Sequence, residues 1–378
     1  MRILLLSAYD AHSHRRWRQG LVENFPGWAW TVLTLPPRNF LWRVRGNSLS
    51  WAFSKRETLQ QPYDLLLATS MTDLSALKGM VPSLARVPSI VYCHENQFAY
   101  PERRKQQGME PEFVSLYAVL AAERVLFNSD YNRRTFLDGA QALLKMMPDA
   151  VPPGVIEHVA GKSCVIPVPL EEHWFAGAPR PPARDGRFTL VWNHRWEYDK
   201  APERLFAALL KLQEDGVDFT VHVIGQQFRE QPPVFAEMRP LLETHIGEWG
   251  MVESAAAYRQ LLRQSHVVLS TALHEFQGLA VLEAVASGCV PLVPDRLAYP
   301  EFIPADCRYP SYPDDPGRES AAIAAHLKVL AQAWQDGMLS PPADLSRLSW
   351  QRLGPVYANE FSSLPEAGNG SASLRGTQ

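Results

Sequence analysis

Two carboxylates and two cations in the second half of the chain are spaced as parts of a site. In STALHEFQGLAVLEAVASGCVPLVP, Ser270 to Pro294, Glu275 follows the strand-like run HVVLST. Glu283 lies eight positions on, about two helical turns along one face. Between them FQGLA brings backbone amides around Gly278 to a helix amino end, where anions are favoured. Upstream, VWNHRWEYDK sets Arg195 and Lys200 five residues apart, after another strand and at the start of a helix. Two cations in that place suit a diphosphate. The competing reading is a solvated turn in which Glu197 and Asp199 pair with them. With a diphosphate at the cations, one carboxylate would reach a sugar and the other a ribose hydroxyl pair. In the first half, YCHENQFAYP places His94, Glu95 and Asn96 after the strand SIVY, and SAYDAHSHRRW closes the first strand with His12, Ser13 and His14. No third ligand joins that H-x-H pattern, so zinc is not expected. No D-x-D is present to hold a divalent ion on a diphosphate. Such chemistry would fall to cationic side chains, with no metal and no resident cofactor.

All these residues follow strands, and the pattern of elements supplies the reason. RILLLS, WTVLTL, DLLLATS, PSIVYCHE, RVLFNS and SCVIPVPL are short apolar runs, most of them separated by amphipathic segments near residues 14–24, 72–80, 112–122 and 129–145. A second series follows: FTLVWN, a helix over 201–214, FTVHVIG, a helix over 254–264, HVVLST, a helix over 279–287, then CVPLVP. Continuous apolar strands alternating with helices predict parallel sheets covered on both faces. The expected class is α/β, with two doubly wound Rossmann-like domains facing a cleft at the carboxyl ends of their strands, where such sheets bind ligands. The expected organisation is a domain over 1–175, a Pro/Gly/Arg linker over 176–187, and a second domain over 188–362. WQRLGPVYANEF would close that second domain as a last helix, and 363–378 would form a Gly/Ser disordered tail.

With 378 residues, 46% hydrophobic and 20% charged, the chain has a soluble globular composition and length for two domains. No apolar run approaches the ~20 residues of a membrane span, and the opening run is too short for a secretory signal. Cys93, Cys164, Cys289 and Cys307 form no C-x-x-C pair and read as reduced thiols of a cytoplasmic protein. The net charge is −3, but unevenly spread: residues 1–175 hold 19 Lys+Arg against 16 Asp+Glu, the remainder 18 against 24. Arg2 to Arg56 alone holds nine basic and two acidic residues. HRRWRQG and RNFLWRVRGNSLSWAFSKR interleave arginine with tryptophan and phenylalanine, as phosphate contacts combined with base stacking would require. The alternative is that the tryptophans are core and the arginines solvated.

The E-x7-E element, the Arg/Lys pair and the paired α/β domains resemble the retaining GT-B glycosyltransferases of the family 4 type. Closer still, SH at Ser13-His14, CHENQ followed by YP, FNS at Phe127–Ser129, HRWEYDK, HEFQGLAVLEAV and YPE at Tyr299–Glu301 are similar, in order, to the tRNA-queuosine alpha-mannosyltransferase family. Two departures stand out: Ala11-His12 where the family has Gly-Gly, and Gln277 where the family has Phe. The resemblance implies metal-independent transfer of mannose from GDP-mannose to queuosine in a tRNA anticodon, expected to be tRNA-Asp, with retained anomeric configuration. It implies catalytic roles for His94, Arg195, Lys200 and Glu275. Donor binding would fall to Arg195, Lys200, Gly278, Leu279 and Glu283, with Asn193 and Tyr258 added for their location. Acceptor binding would fall to Ser13, His14, Arg15, Arg16, Arg43, Arg45 and Asn96. Two alternatives stay open: the same hexosyl transfer to a lipid or glycan, and a non-catalytic tRNA- or nucleotide-binding protein.

Overall fold

Runs of Leu, Val and Ile are wholly buried only where both faces of a sheet are covered, and each run expected as a strand contains one. The computed structural model describes residues 1–100, 108–175 and 186–364. One sheet comprises β1 (Arg2–Ser7), β2 (Ala29–Thr34), β3 (Leu65–Thr69), β4 (Ser89–Cys93), β5 (Arg124–Phe127) and β6 (Ser163–Val165), in the order β2-β1-β3-β4-β5-β6. The other comprises β7 (Phe188–Asn193), β8 (Phe219–Ile224), β9 (Ile246–Gly250), β10 (Val267–Leu269), β11 (Val290–Pro294) and β12 (Arg308–Tyr309), in the order β12-β11-β10-β7-β8-β9. All pairings are parallel. Each sheet therefore sends its carboxyl-end loops to one side; His94, Asn96, Arg195, Lys200 and Glu275 lie on the segments after strands, whereas Arg43, Arg45, Tyr258 and Glu283 lie on helices.

The chain divides into two units, Leu170–Ser349 and Met1–Pro169 joined by the segment from Trp350. This corrects the expected boundaries: the closing helix, Trp350–Ser362, belongs to the first unit. Its aromatic face decides the matter. Tyr357 is fully buried, its hydroxyl accepts from Trp17 Nε1 at 3.1 Å and donates to Pro167 O at 3.1 Å, and Phe361 packs on Trp28. The expected linker lies outside the described residues except for positions 186 and 187, as does the expected tail beyond 364.

Behind the second unit's site loops is a buried ion cluster. The Pro316–Gln335 helix presents Glu319, which is wholly buried. Glu319 accepts from Arg296 Nη1 at 2.6 Å and Nη2 at 2.9 Å, and pairs with Arg204 Nη1 at 2.7 Å. Burial would raise this carboxyl, but the Arg296 hydrogen bonds, the Tyr312 amide and Arg204 hold it below its ordinary value. Arg296 also donates to Ser311 Oγ at 2.9 Å and to the carbonyls of Ala272 at 2.9 Å and Thr271 at 3.3 Å, the last two in the loop after β10. The other wall depends on a glycine. After β8, Gly225 has φ +142° and lies so close to the His194 carbonyl that a Cβ would fall 1.8 Å from its oxygen. Only glycine permits that approach of the loops after β7 and β8.

His266, buried just before β10, accepts the Thr189 amide at its Nδ1, 2.7 Å away. Burial pushes its imidazole down to about 4, from an ordinary 6.5. Below pH 6.5 the unfolded chain takes up a proton here that the folded chain refuses. This stabilisation is therefore complete above about pH 6.5 and is lost as pH falls through 4. The denaturant midpoint should fall between pH 7.5 and pH 5, with about 2 kcal/mol of the loss due to this residue. His266→Gln should show a correspondingly shallower decline; parallel declines in the two proteins would exclude His266 as the source.

Candidate functional site

In the second unit the loops after β7 and β10 are tied together by one ammonium group. Lys200, buried, donates from Nζ to the His274 carbonyl at 2.6 Å and lies 3.3 Å from both Glu275 Oε2 and Asp199 Oδ2. The ammonium thus makes two hydrogen bonds, to the His274 carbonyl and to Glu275, and a further ion pair with Asp199. Glu275 is 24% exposed, and its other oxygen accepts the Phe276 amide at 3.1 Å. Burial would raise the Glu275 carboxyl, but Lys200, with His194, His274 and Arg195 around it, holds it at about 2. Asp199 is held well below the carboxylate range against the same burial, by Lys200, by a hydrogen bond from His274 and by Arg195. His194 is pushed down to about 3 by burial and then by Lys200, so its ring is neutral and bonds Ser270 Oγ at 2.9 Å. Ser270 in turn meets the Tyr299 hydroxyl at 2.6 Å. Arg195 is half-exposed and pairs with Glu197 at 2.7 Å. Of the two readings of this stretch, the geometry displays the carboxylate-paired turn: Arg195 is paired with Glu197, and Lys200 with Asp199 and Glu275.

Gly278 has φ +80° and caps the Leu279–Ala286 helix; a Cβ there would meet the Tyr299 ring at 2.9 Å. That close contact explains why the YPE element accompanies the glycine. Leu279, partly buried, is the first helical residue, Gln277 is buried, and Glu283 is buried one turn further on. Glu283 Oε2 accepts from the Tyr258 hydroxyl at 2.5 Å, and that hydroxyl accepts from Asn193 Nδ2 at 2.5 Å. Asn193 and Tyr258, chosen from the sequence only by location, are thus joined to Glu283.

In the first unit the loops after β1, β3 and β4 converge. His14 Nε2 bonds Glu95 Oε2 at 2.9 Å, and Ser70 Oγ donates to Glu95 Oε1 at 3.0 Å. The rings of His14 and His94 stack with centroids 4.2 Å apart, and Trp17 and Tyr92 meet His94 edge-on. His94 is buried and, among the described residues, neither of its nitrogens has a hydrogen-bond partner. Burial, and His14 beside it, hold its imidazole well below its ordinary value. Ser70 was not singled out from the sequence; a small polar residue ending an apolar strand run is the signal it left. Ser13 is partly buried in the first turn of the His12–Asn24 helix. Ala11, which caps that helix, has φ −63°, so its backbone does not require glycine.

Several expected acceptor contacts are engaged elsewhere. Asn96 is buried and donates to Asn132 Oδ1 at 2.8 Å and Thr135 Oγ1 at 2.9 Å, while its oxygen accepts the amides of Phe98 and Ala99. Its amide braces the loop, and it presents nothing to an acceptor. Arg43 is also a correction: it is buried and its Nε donates to Pro36 O at 3.2 Å. Arg45 is 54% exposed but paired with Glu110 at 2.8 Å and Asp73 at 3.2 Å. Arg15 is half-exposed beside Asp10, and Arg16 is partly buried. The helix carrying Arg43 and Arg45, Phe40–Ser54, exposes Trp42 (53%), Leu49 and Phe53 (75%) along one face. Among the described residues no three His, Cys, Asp or Glu side chains gather as around a metal ion, and no helix is long and apolar enough to cross a membrane.

The fold has counterparts in solved structures. Anabaena HepE in complex with UDP-glucose superposes with a TM-score of 0.66 at 16% identity, covering 96% of this chain and all of that one. The lipopolysaccharide outer core galactosyltransferase WaaB superposes with a TM-score of 0.64 at 13% identity, over 96% of this chain and all of that one. At these identities the likeness establishes the fold, which is GT-B. Sequence relatives go further. The tRNA-queuosine alpha-mannosyltransferase N-terminal family matches residues 2–170. The tRNA-queuosine alpha-mannosyltransferase of Drosophila melanogaster is 34% identical over 315 residues, 81% of this chain and 83% of that protein. This chain belongs to the tRNA-queuosine alpha-mannosyltransferase family.

Proposed function

We propose that the protein transfers mannose from GDP-mannose to queuosine in a tRNA anticodon, with tRNA-Asp as the expected acceptor, in the cytoplasm and without a metal. The observation that carries this reading is the Lys200–Glu275 pair at the strand ends of the second unit, in a chain of this family. Lys200 and Arg195 supply the positive charge for the departing diphosphate, aided by the amides near Gly278. Because Lys200 is already paired within the chain, donor binding is an exchange of partners. A phosphate oxygen takes the place of Glu275 at Nζ, and Glu275 is released toward the hexose hydroxyls. Glu283 holds the ribose, and neutral His94 orients the hexose.

In the transfer step the bond from the anomeric carbon to the diphosphate breaks, and its electron pair leaves with GDP. The acceptor hydroxyl bonds the same carbon on the same face, giving its proton to a donor phosphate oxygen. Configuration is retained. Purified protein incubated with GDP-mannose and queuosine-containing tRNA should yield, by nucleoside mass spectrometry, queuosine heavier by one hexose. Unmodified queuosine after prolonged incubation would refute the assignment.

For the acceptor, the exposed Trp42, Arg45 and Phe53 favour RNA, because indole and phenyl faces can stack on splayed bases. With Arg43 buried, phosphate contacts fall to Arg15, Arg16 and Arg45, each contributing about 0.7–0.9 to the logarithmic salt slope. Arg45→Glu should lower that slope by roughly one contact, and Trp42→Ala with Phe53→Ala should weaken tRNA binding roughly tenfold or more at constant slope. Filter binding across a salt series reads both. Salt-independent binding, or indifference to all three changes, would favour a lipid or glycan acceptor.

A further inference from the structure

The hydrogen bonds from Asn193 through Tyr258 to Glu283 run in one direction. An amide nitrogen can only donate and a carboxylate can only accept. The Tyr258 hydroxyl therefore accepts from Asn193 at 2.5 Å and passes its own proton toward Glu283 at 2.5 Å. Three separate elements contribute: the end of β7, the Ala255–Gln264 helix and the Leu279–Ala286 helix. The phenol ring is itself placed by the edge of Trp174, with centroids 5.7 Å apart, and Trp174 Nε1 is anchored on Glu171 at 2.9 Å. Glu283 and Asn193 are both buried, so the chain runs where charge-assisted hydrogen bonds are strongest.

We propose that Tyr258 is a positioning residue for the donor: through its hydroxyl it fixes the Glu283 carboxylate in the orientation that receives the ribose hydroxyls, with Asn193 holding the phenol in turn. This rests on the reading of Glu283 as the ribose carboxylate. Without the hydroxyl, Glu283 would have to be ordered at the moment of binding, and the cost would appear in nucleotide affinity. Chemistry at the anomeric carbon would be spared, because Tyr258 is linked to Glu283 and not to the Lys200–Glu275 pair. Asn193→Ala, one link further back, should have a smaller effect in the same direction.

The test is calorimetric binding of GDP and of 2′,3′-dideoxyguanosine diphosphate to wild type, Tyr258→Phe, Glu283→Ala and the double variant. Thermal unfolding serves as the check on folding. Tyr258→Phe should bind GDP roughly five- to tenfold more weakly. It should also lose most of the wild type's preference for GDP over the dideoxy analogue. The double variant should bind no more weakly than Glu283→Ala alone, because both changes remove one interaction. At saturating donor, turnover of Tyr258→Phe should stay within about threefold of wild type, so the loss appears in KM. A purely structural role would weaken both nucleotides equally and leave the preference intact, which overturns the proposal. Wild-type GDP affinity in Tyr258→Phe beside weakened Glu283→Ala removes the relay alone. Wild-type affinity in Glu283→Ala removes the ribose reading and the relay with it.

Discussion

A buried ammonium must be matched by acceptors, and how Lys200 is matched organises the second unit's site. It hydrogen-bonds one carbonyl and one carboxylate and pairs with a second carboxylate, drawn from the loops after β7 and β10. Removing any one acceptor would leave a buried cation short of a partner, which is costly. A phosphate oxygen is the kind of acceptor that can replace a carboxylate at no net loss of hydrogen bonds. The same interaction that holds two loops together is therefore also suited to transfer its charge to a ligand. The low position of Glu275, at about 2, keeps it ionised at neutral pH.

That arrangement depends on parts far from any ligand. Glu319 is wholly buried between Arg296 and Arg204, and Arg296 grips the Thr271 and Ala272 carbonyls in the loop that continues to His274 and Glu275. The loop is fixed from behind by charge and from the front by Lys200. Gly225 lets the loop after β8 close against the His194 carbonyl, and Gly278 lets Tyr299 lie against the helix start. The first unit follows a similar logic with uncharged groups. Asn128 donates to the His94 carbonyl at 2.8 Å, and Asn132 donates to the Cys93 carbonyl at 2.9 Å, so the loop bearing His94 is held by amides.

Strands were legible because parallel, doubly covered sheets demand uninterrupted apolar runs, and those runs carried the candidate residues at their ends. β9 was missed because IGEWG is a partly exposed edge strand with glycine at two of its five positions. The Phe40–Ser54 helix left no period because Arg43, Asn47 and Ser48 are among its buried residues while Leu41, Trp42, Leu49 and Phe53 are exposed. The Pro316–Gln335 helix left an amphipathic signal that was not used, and with it the buried role of Glu319 went unseen. Position was legible from residue type and spacing: Lys200 and Glu275 lie in the segments after β7 and β10, and Glu283 in the helix that follows. Pairing was not. Nothing in the spacing says that Arg43 turns inward to Pro36, that Asn96 is spent on its own loop, or that Tyr258 reaches Glu283, because each depends on contacts between residues distant in the sequence or on a side chain's direction. The closing helix was placed with the wrong unit for the same reason: its tyrosine partner, Trp17, lies 340 residues away.

The account turns on the charge of Lys200 reaching the departing diphosphate, and one kinetic comparison tests that directly. Single-turnover rates of mannosyl transfer should be measured for wild type and Lys200→Ala, each shown to be folded by its thermal transition and to bind tRNA. The account predicts that the variant's rate falls by roughly two to three orders of magnitude, with tRNA affinity little changed. A folded Lys200→Ala protein that transfers mannose at the wild-type rate would contradict it, and would leave Lys200 as no more than the tie between two loops.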